Sequence, residues 1–187
     1  MEILYWLWIA RMKYIYFEVF DKLVEKYKNM QNIWNLSYDE LYDCHLFNEQ
    51  QIKEICNPIY RKNLSALAEY MKKRRINMVT CYDSKYPAKL NFIRNKPIVL
   101  FYKGNIDIIN NESVAIVGSR NCTIYGRKCA DYFSYELARR GINIISGLAI
   151  GIDSIAHISA LNGHGKTIAV LRMRTRQCIS KSKSRTI

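Results

Sequence analysis

The sequence predicts an α/β protein, a partial Rossmann-like parallel sheet (βαβαβ) preceded by a small all-α domain. Two observations carry this. From Ser113 onward short apolar runs alternate with helical patterns, and Gly turns separate them. Over residues 1–75 the apolar residues instead recur at helical spacing, with no strand pattern between them.

The elements follow in order. Ile3 to Ala10 is an apolar, aromatic run ended by Arg11, expected as a buried helix. Phe17, Phe20, Val24 and Tyr27 recur every three or four residues. Ser37 with Glu40 and Asn48 with Gln51 have capping-box spacing and each should start a helix. Ile52, Ile55 and Cys56 line one face of the second of these. A further helix carries Leu64, Leu67 and Met71 and ends in Lys72-Lys73-Arg74-Arg75, cations that suit the negative end of a helix.

At Ile76 the pattern changes, and the domain boundary is placed between 75 and 76. Residues 76–80 read as a strand, Asp83 to Pro87 as a turn, and residues 98–102 as a second strand closed by Gly104-Asn105. Residues 114–117 form a continuous apolar run, expected as a strand buried on both faces. A helix over 126–140 should turn Ala130, Phe133, Leu137 and Ala138 inward and end at Gly141. Strand 142–145, helix 153–161 and strand 167–171 complete the unit, which implies parallel strands and right-handed crossovers. Residues 172–187 have no periodicity and read as a disordered basic tail.

Composition narrows the function classes. The formal charge of +13 suggests an anionic partner, but six cations fall in the last stretch from Arg172 to Arg185 with no acid among them. Without these the chain is only moderately basic, so charge is supporting evidence. The six Cys have no Cys-x-x-Cys pair; reduced, mostly buried thiols are expected, with no zinc or redox site. No apolar run reaches the ~18 residues of a spanning helix, and the start lacks a basic region and cleavage site; a cytoplasmic protein is expected.

Gly118-Ser119-Arg120 follows the first core strand, where ligands sit in open α/β sheets. A backbone at Gly118 can approach a ligand closely, Ser119 can donate a hydroxyl, and Arg120 can hold a phosphate through two N–H bonds. Gly147 and Gly151 bracket the turn after the next strand, and Asp153 can cap the helix that follows. Backbone amides and a helix N-terminus would favour an anion there too. Tyr125 flanks the first turn and is the one aromatic outside the helical core pattern placed to stack on a base. Most of the other aromatics sit at helical periods in the first 75 residues, where they fit core packing. His157, without clustered acids or thiols, reads as a structural histidine, and no catalytic constellation, metal site or Gly-x-Gly-x-x-Gly cofactor fingerprint is present. No cofactor is expected.

Asp83-x-x-Tyr86-Pro87, Lys103-Gly104-Asn105, Val117-Gly118-Ser119-Arg120, Tyr125-Gly126, Ser146-Gly147-Leu148-Ala149, Gly151-Ile152-Asp153 and Ala156-His157 occur in one order. In that order they resemble the DNA processing protein A (DprA/Smf) family, over about residues 76–171. The resemblance implies the first part of an extended Rossmann-like domain behind a SAM-like helical domain. It implies a non-enzymatic protein that binds single-stranded DNA around Gly118, Ser119 and Arg120 and loads RecA in natural transformation, as a homodimer.

Three departures stand out. Ile150 replaces a usual basic residue. Residues 12–17 lack the Gly-containing hairpin of many members, which speaks against a helix-hairpin-helix contact. After Leu171 the family's Gly-rich turn and second half-sheet do not follow, as a truncated or frameshifted reading frame would produce; dimerisation and full function are then expected to be impaired. Two alternatives remain. One is a nucleotide-binding Rossmann-like enzyme resembling the LOG-type phosphoribohydrolases, whose Pro-Gly-Gly-x-Gly-Thr motif is absent. The other is a non-functional fragment.

Overall fold

The computed structural model describes residues 2–171; the expectations for the tail, Cys178 included, lie outside them. The chain forms two compact units, one reaching Gly104 and the other starting at Asn105.

In the first unit six helices share one core. They are α1 (Glu2–Ala10), α2 (Phe17–Tyr27), α3 (Met30–Asn35), α4 (Tyr38–Asp43), α5 (Glu49–Cys56) and α6 (Leu64–Lys73). Trp8, Phe20, Leu23, Ile33, Leu41 and Ile52 are all but fully buried. Both predicted capping boxes are present, Ser37 with Glu40 and Asn48 with Gln51, each satisfying helix-end amides that water would otherwise have to reach. The Arg61 guanidinium lies 5.1 Å from the Trp8 ring and 4.6 Å from the Trp34 ring, and donates to the Trp34 carbonyl. Two flat faces thereby cover a cation that burial would otherwise penalise. The buried Glu54 carboxylate accepts from the Lys13 and Tyr14 amides at 2.7 and 2.8 Å, so the segment without the hairpin glycine has its amides satisfied internally.

The same unit contains β1 (Asn77–Thr80) and β2 (Val99–Tyr102), an antiparallel pair with Val79 opposite Leu100. They do not join the parallel sheet, so compactness divides the chain at 104/105 rather than at 75/76. Asp83 accepts from the Thr80 amide and hydroxyl, and the buried Tyr86 hydroxyl donates to the Pro97 carbonyl at 2.6 Å. The Asp-x-x-Tyr-Pro motif therefore ties the end of β1 to the start of β2. Burial pushes the Tyr86 hydroxyl up to about 12.

The second unit is a three-stranded parallel sheet in the order β3 (Ser113–Ala115), β4 (Asn143–Ser146), β5 (Thr167–Ala169). Val114 stands opposite Ile144, and Ile144 opposite Thr167. The crossover helices are α7 (Ile124–Arg139) and α8 (Ile152–Asn162). Ala138 of α7 and Ala156 and Ala160 of α8 all pack on Ile144, so both helices lie on one face of the sheet. That is the result of winding sequential strands in one direction with one hand.

Three expectations are corrected here. The first strand is three residues long and is not buried on both faces: it is an edge strand, no helix covers its second face among the described residues, and Val117 is 68% exposed. Phe133 points outward, and Ser134 takes the inner position with Ala130 and Ala138. Small residues at i, i+4 and i+8 let α7 approach α8 closely, and Gly163 and Gly165 sit against Tyr135 and Ala138 where a Cβ would collide. The described cysteines are free, but only Cys81 is buried; Cys44, Cys56, Cys122 and Cys129 are half-buried.

Candidate functional site

The turns after β3 and β4 lie side by side at the carboxyl edge of the sheet. The Ile152 amide donates to the Ser119 carbonyl at 3.3 Å. Gly151, at φ +89°, lies so close to the 119–120 backbone that a Cβ would stand 2.4 Å from the Ser119 carbonyl oxygen and 2.5 Å from that of Arg120. No side chain fits at that position, in space or in backbone conformation. A Cβ on Gly118 would collide with Ile152, and one on Gly147 with Asp153. Gly118 and Gly151 serve the packing of one turn on the other, and Gly147 leaves room for the Asp153 carboxylate, where the sequence suggested close approach of a ligand.

Asp153 does not cap its helix through the usual position; Gly151 stands there, without a side chain. The buried Asp153 carboxylate instead accepts from the amides of Gly118 at 3.4 Å, Gly147 at 3.2 Å and Ala149 at 3.5 Å. Leu148, at φ 56°, lets the amides on either side of it converge. The amide cradle predicted for an external anion thus already holds an internal one. The missed signal was in the sequence: an Asp in the first turn of a helix that follows two Gly turns.

Side chains remain for a ligand. Ser119 Oγ is engaged locally, accepting from the Asn121 amide and donating to its carbonyl, both at 3.1 Å. Arg120 is exposed and forms no ion pair among the described residues. Ile150 is 71% exposed beside it in the chain's second turn, an apolar group where a cation would have added to Arg120. Tyr125 is 78% exposed on the first turn of α7, whose cap is Thr123 bonding the Gly126 amide. The Cys129 thiol one turn further along raises the Tyr125 hydroxyl above the ordinary tyrosine value. Five of the six predicted residues, Gly118, Ser119, Arg120, Gly147 and Gly151, lie on the two adjoining turns, and Tyr125 follows on the first turn of α7.

His157 is buried and structural in its contacts. Thr167 Oγ1 donates to the Ile144 carbonyl at 2.8 Å, so His157 Nδ1, 2.6 Å away, is the donor to that oxygen. Nε2 is left as a buried acceptor without a partner. Burial lowers the His157 value, and Asp153 nearby works in the opposite direction. No group of three His, Cys, Asp or Glu is placed to hold a metal ion among the described residues, and no described helix is long and apolar enough to cross a membrane.

Comparison with known proteins bears on this edge. The model of the family described as DNA recombination-mediator protein A matches residues 77–187, past Leu171 where the motifs end. The DNA processing protein DprA of Bacillus subtilis is 35% identical over 121 residues, covering 64% of this chain and 40% of that protein. The DprA of Streptococcus pneumoniae is 46% identical over 89 residues, 48% of this chain and 31% of that one. Protein Smf of Synechocystis is 31% identical over 171 residues, 89% of this chain and 43% of that one. The chain spans less than half the length of each. The X-ray structure of the pneumococcal DprA is similar with a TM-score of 0.51 and 30% identity, over 84% of this chain and 58% of that one.

Proposed function

The chain belongs to the DNA recombination-mediator protein A family, and on that footing we propose that it binds single-stranded DNA at the turn carrying Gly118, Ser119 and Arg120. It then passes the strand to the RecA recombinase during DNA uptake, in the cytoplasm and without catalysis of its own. One observation carries this: an exposed Arg120, without an ion pair among the described residues, at the carboxyl edge of a parallel sheet, on the family's Gly-Ser-Arg turn. A guanidinium there can grip a phosphate in two parallel bonds. Gly151 packs against the 119–120 backbone, and Gly147 against the Asp153 carboxylate that also accepts from the Gly118 amide. The amide cradle filled by Asp153 speaks against a nucleotide diphosphate at this edge, because such a ligand needs those amides. His157, locked to Thr167, is not poised as a base.

The test is fluorescence anisotropy with labelled single-stranded and duplex oligonucleotides. The full chain carries Gln in place of its six tail cations, which could bind DNA without any fold. Preference for the single strand, with log affinity falling linearly in log salt as counterions are released, is the expected result. Equal affinity for duplex, or binding indifferent to salt, would overturn the reading.

A further inference from the structure

The face of α7 turned away from the core does not match the surface of an ordinary solvated helix. Its inner stripe is Ala130, Ser134 and Ala138. On the exposed side run Tyr125, Lys128 and Tyr132, spaced i, i+3 and i+7, and Tyr135 and Arg139 flank them toward Gly163 at the end of α8, so that one strip of surface carries aromatic rings interleaved with cations. Tyr132 is 63% exposed and is braced edge-on by Phe133 with ring centroids 5.5 Å apart. Tyr125 and Tyr132 stand about 10.5 Å apart along the axis, with Lys128 between them. Arg139 lies over the Tyr135 ring at 5.6 Å.

We propose that this face is a stacking platform for the unpaired bases of single-stranded DNA, continuing from Arg120; the proposal rests on the DNA-binding reading above. Charge chooses the occupant. Lys128 has no ion pair among the described residues. The acids of α7 are engaged: Asp131 accepts from the Ser159 hydroxyl on α8, and Glu136 pairs with Arg139 and Arg140 at 3.6 Å. From Arg120 to Lys128 there are three cations, Arg120, Arg127 and Lys128, and no acid. Such a strip attracts a polyanion, and its rings offer π-faces that any base can meet. Position supports continuity: α7 begins at the carboxyl edge of the sheet, four residues after Arg120, so a strand gripped there reaches Tyr125 next. Stacking is indifferent to base identity, so the platform would add affinity without sequence preference.

The test uses the full chain with a labelled thymidine oligomer and an abasic oligomer of the same length. Tyr132→Ala is expected to weaken the thymidine oligomer about fivefold or more, the loss for one stacked base, and to leave the abasic oligomer unchanged. Tyr132→Phe keeps the ring and is expected to bind as the parent does. Loss of thymidine-oligomer binding in Arg120→Ala but not in Tyr132→Ala would overturn the platform and leave the Arg120 site standing. No binding by the parent chain would overturn both. If Tyr132→Ala instead converted a self-associated species into a monomer in sedimentation, with DNA affinity unchanged, the face would belong to a second copy and the proposal would fall.

Discussion

In the first unit Trp8, Phe20, Leu23, Ile33, Leu41 and Ile52 are all but inaccessible to water; in the second the corresponding positions are Ile144, Ala138, Ala156 and Ala160. A fully buried large apolar side chain stabilises by about 1.5–3 kcal/mol relative to exposure, and an alanine by much less. The second unit also leaves Val117, Ile150, Leu161 and Val170 in water and has β3 and β5 as its outer strands among the described residues. Its order comes from close backbone approach, glycine on helix and turn on turn, and from the Asp153 carboxylate. The lesson is that the candidate site sits on the less protected unit, held by polar and steric fit more than by apolar volume. Elements with few buried apolar contacts open first, so amide hydrogen exchange is expected to be faster in β3 and β5 than in α1.

The comparison can be broken at either end. The largest effect is expected from Trp8→Ala, which should cost about 3–5 kcal/mol by chemical denaturation and raise exchange throughout the helical unit. A loss below about 1 kcal/mol would mean that this core carries less than its burial implies. Next comes Asp153→Ala, which leaves the Gly118 and Gly147 amides without their charged acceptor. Hydrogen bonds to a charged group are worth about 1.5–3 kcal/mol, and the loss should appear in exchange of the second unit. Unchanged exchange at Gly118 and Gly147 would remove Asp153 as the link between the turns.

The smallest effect is a pH dependence. Burial lowers the His157 value below the ordinary 6.5, so the unfolded chain binds the proton more readily. The stability that the neutral ring contributes is present above 6.5 and is lost as the pH falls below it. Thermal unfolding between pH 8 and 5 should show this slope in the parent chain and a flatter one in His157→Gln. Equal slopes would show that His157 does not titrate on unfolding.

Much of this was legible in the sequence because local chemistry decided it. Ser37 with Glu40 and Asn48 with Gln51 announced two helix starts, and Gly141 announced the end of α7, where it takes φ +82°. The Gly-Ser-Arg turn was placed at the correct sheet edge. What was not legible depended on which surfaces meet. Phe133 is apolar and at helical spacing, yet Ser134 faces α8, because close helix contact selects for size over hydrophobicity. Residues 114–117 look like a central strand, and only the sheet order shows β3 to be an edge among the described residues. Asp153 reads as a cap, but which amides it accepts from depends on two turns meeting from 35 residues apart.

The central claim, that Arg120 is the principal anion contact of this edge, is tested most directly by the single-stranded DNA affinity of Arg120→Ala in the chain with neutralised tail cations. The side chain is exposed, so unfolding should match the parent. Affinity should fall by about 1.5–3 kcal/mol, roughly ten- to a hundred-fold, with a shallower salt slope. Parent-like affinity and salt slope in that variant would place the DNA site elsewhere on the molecule.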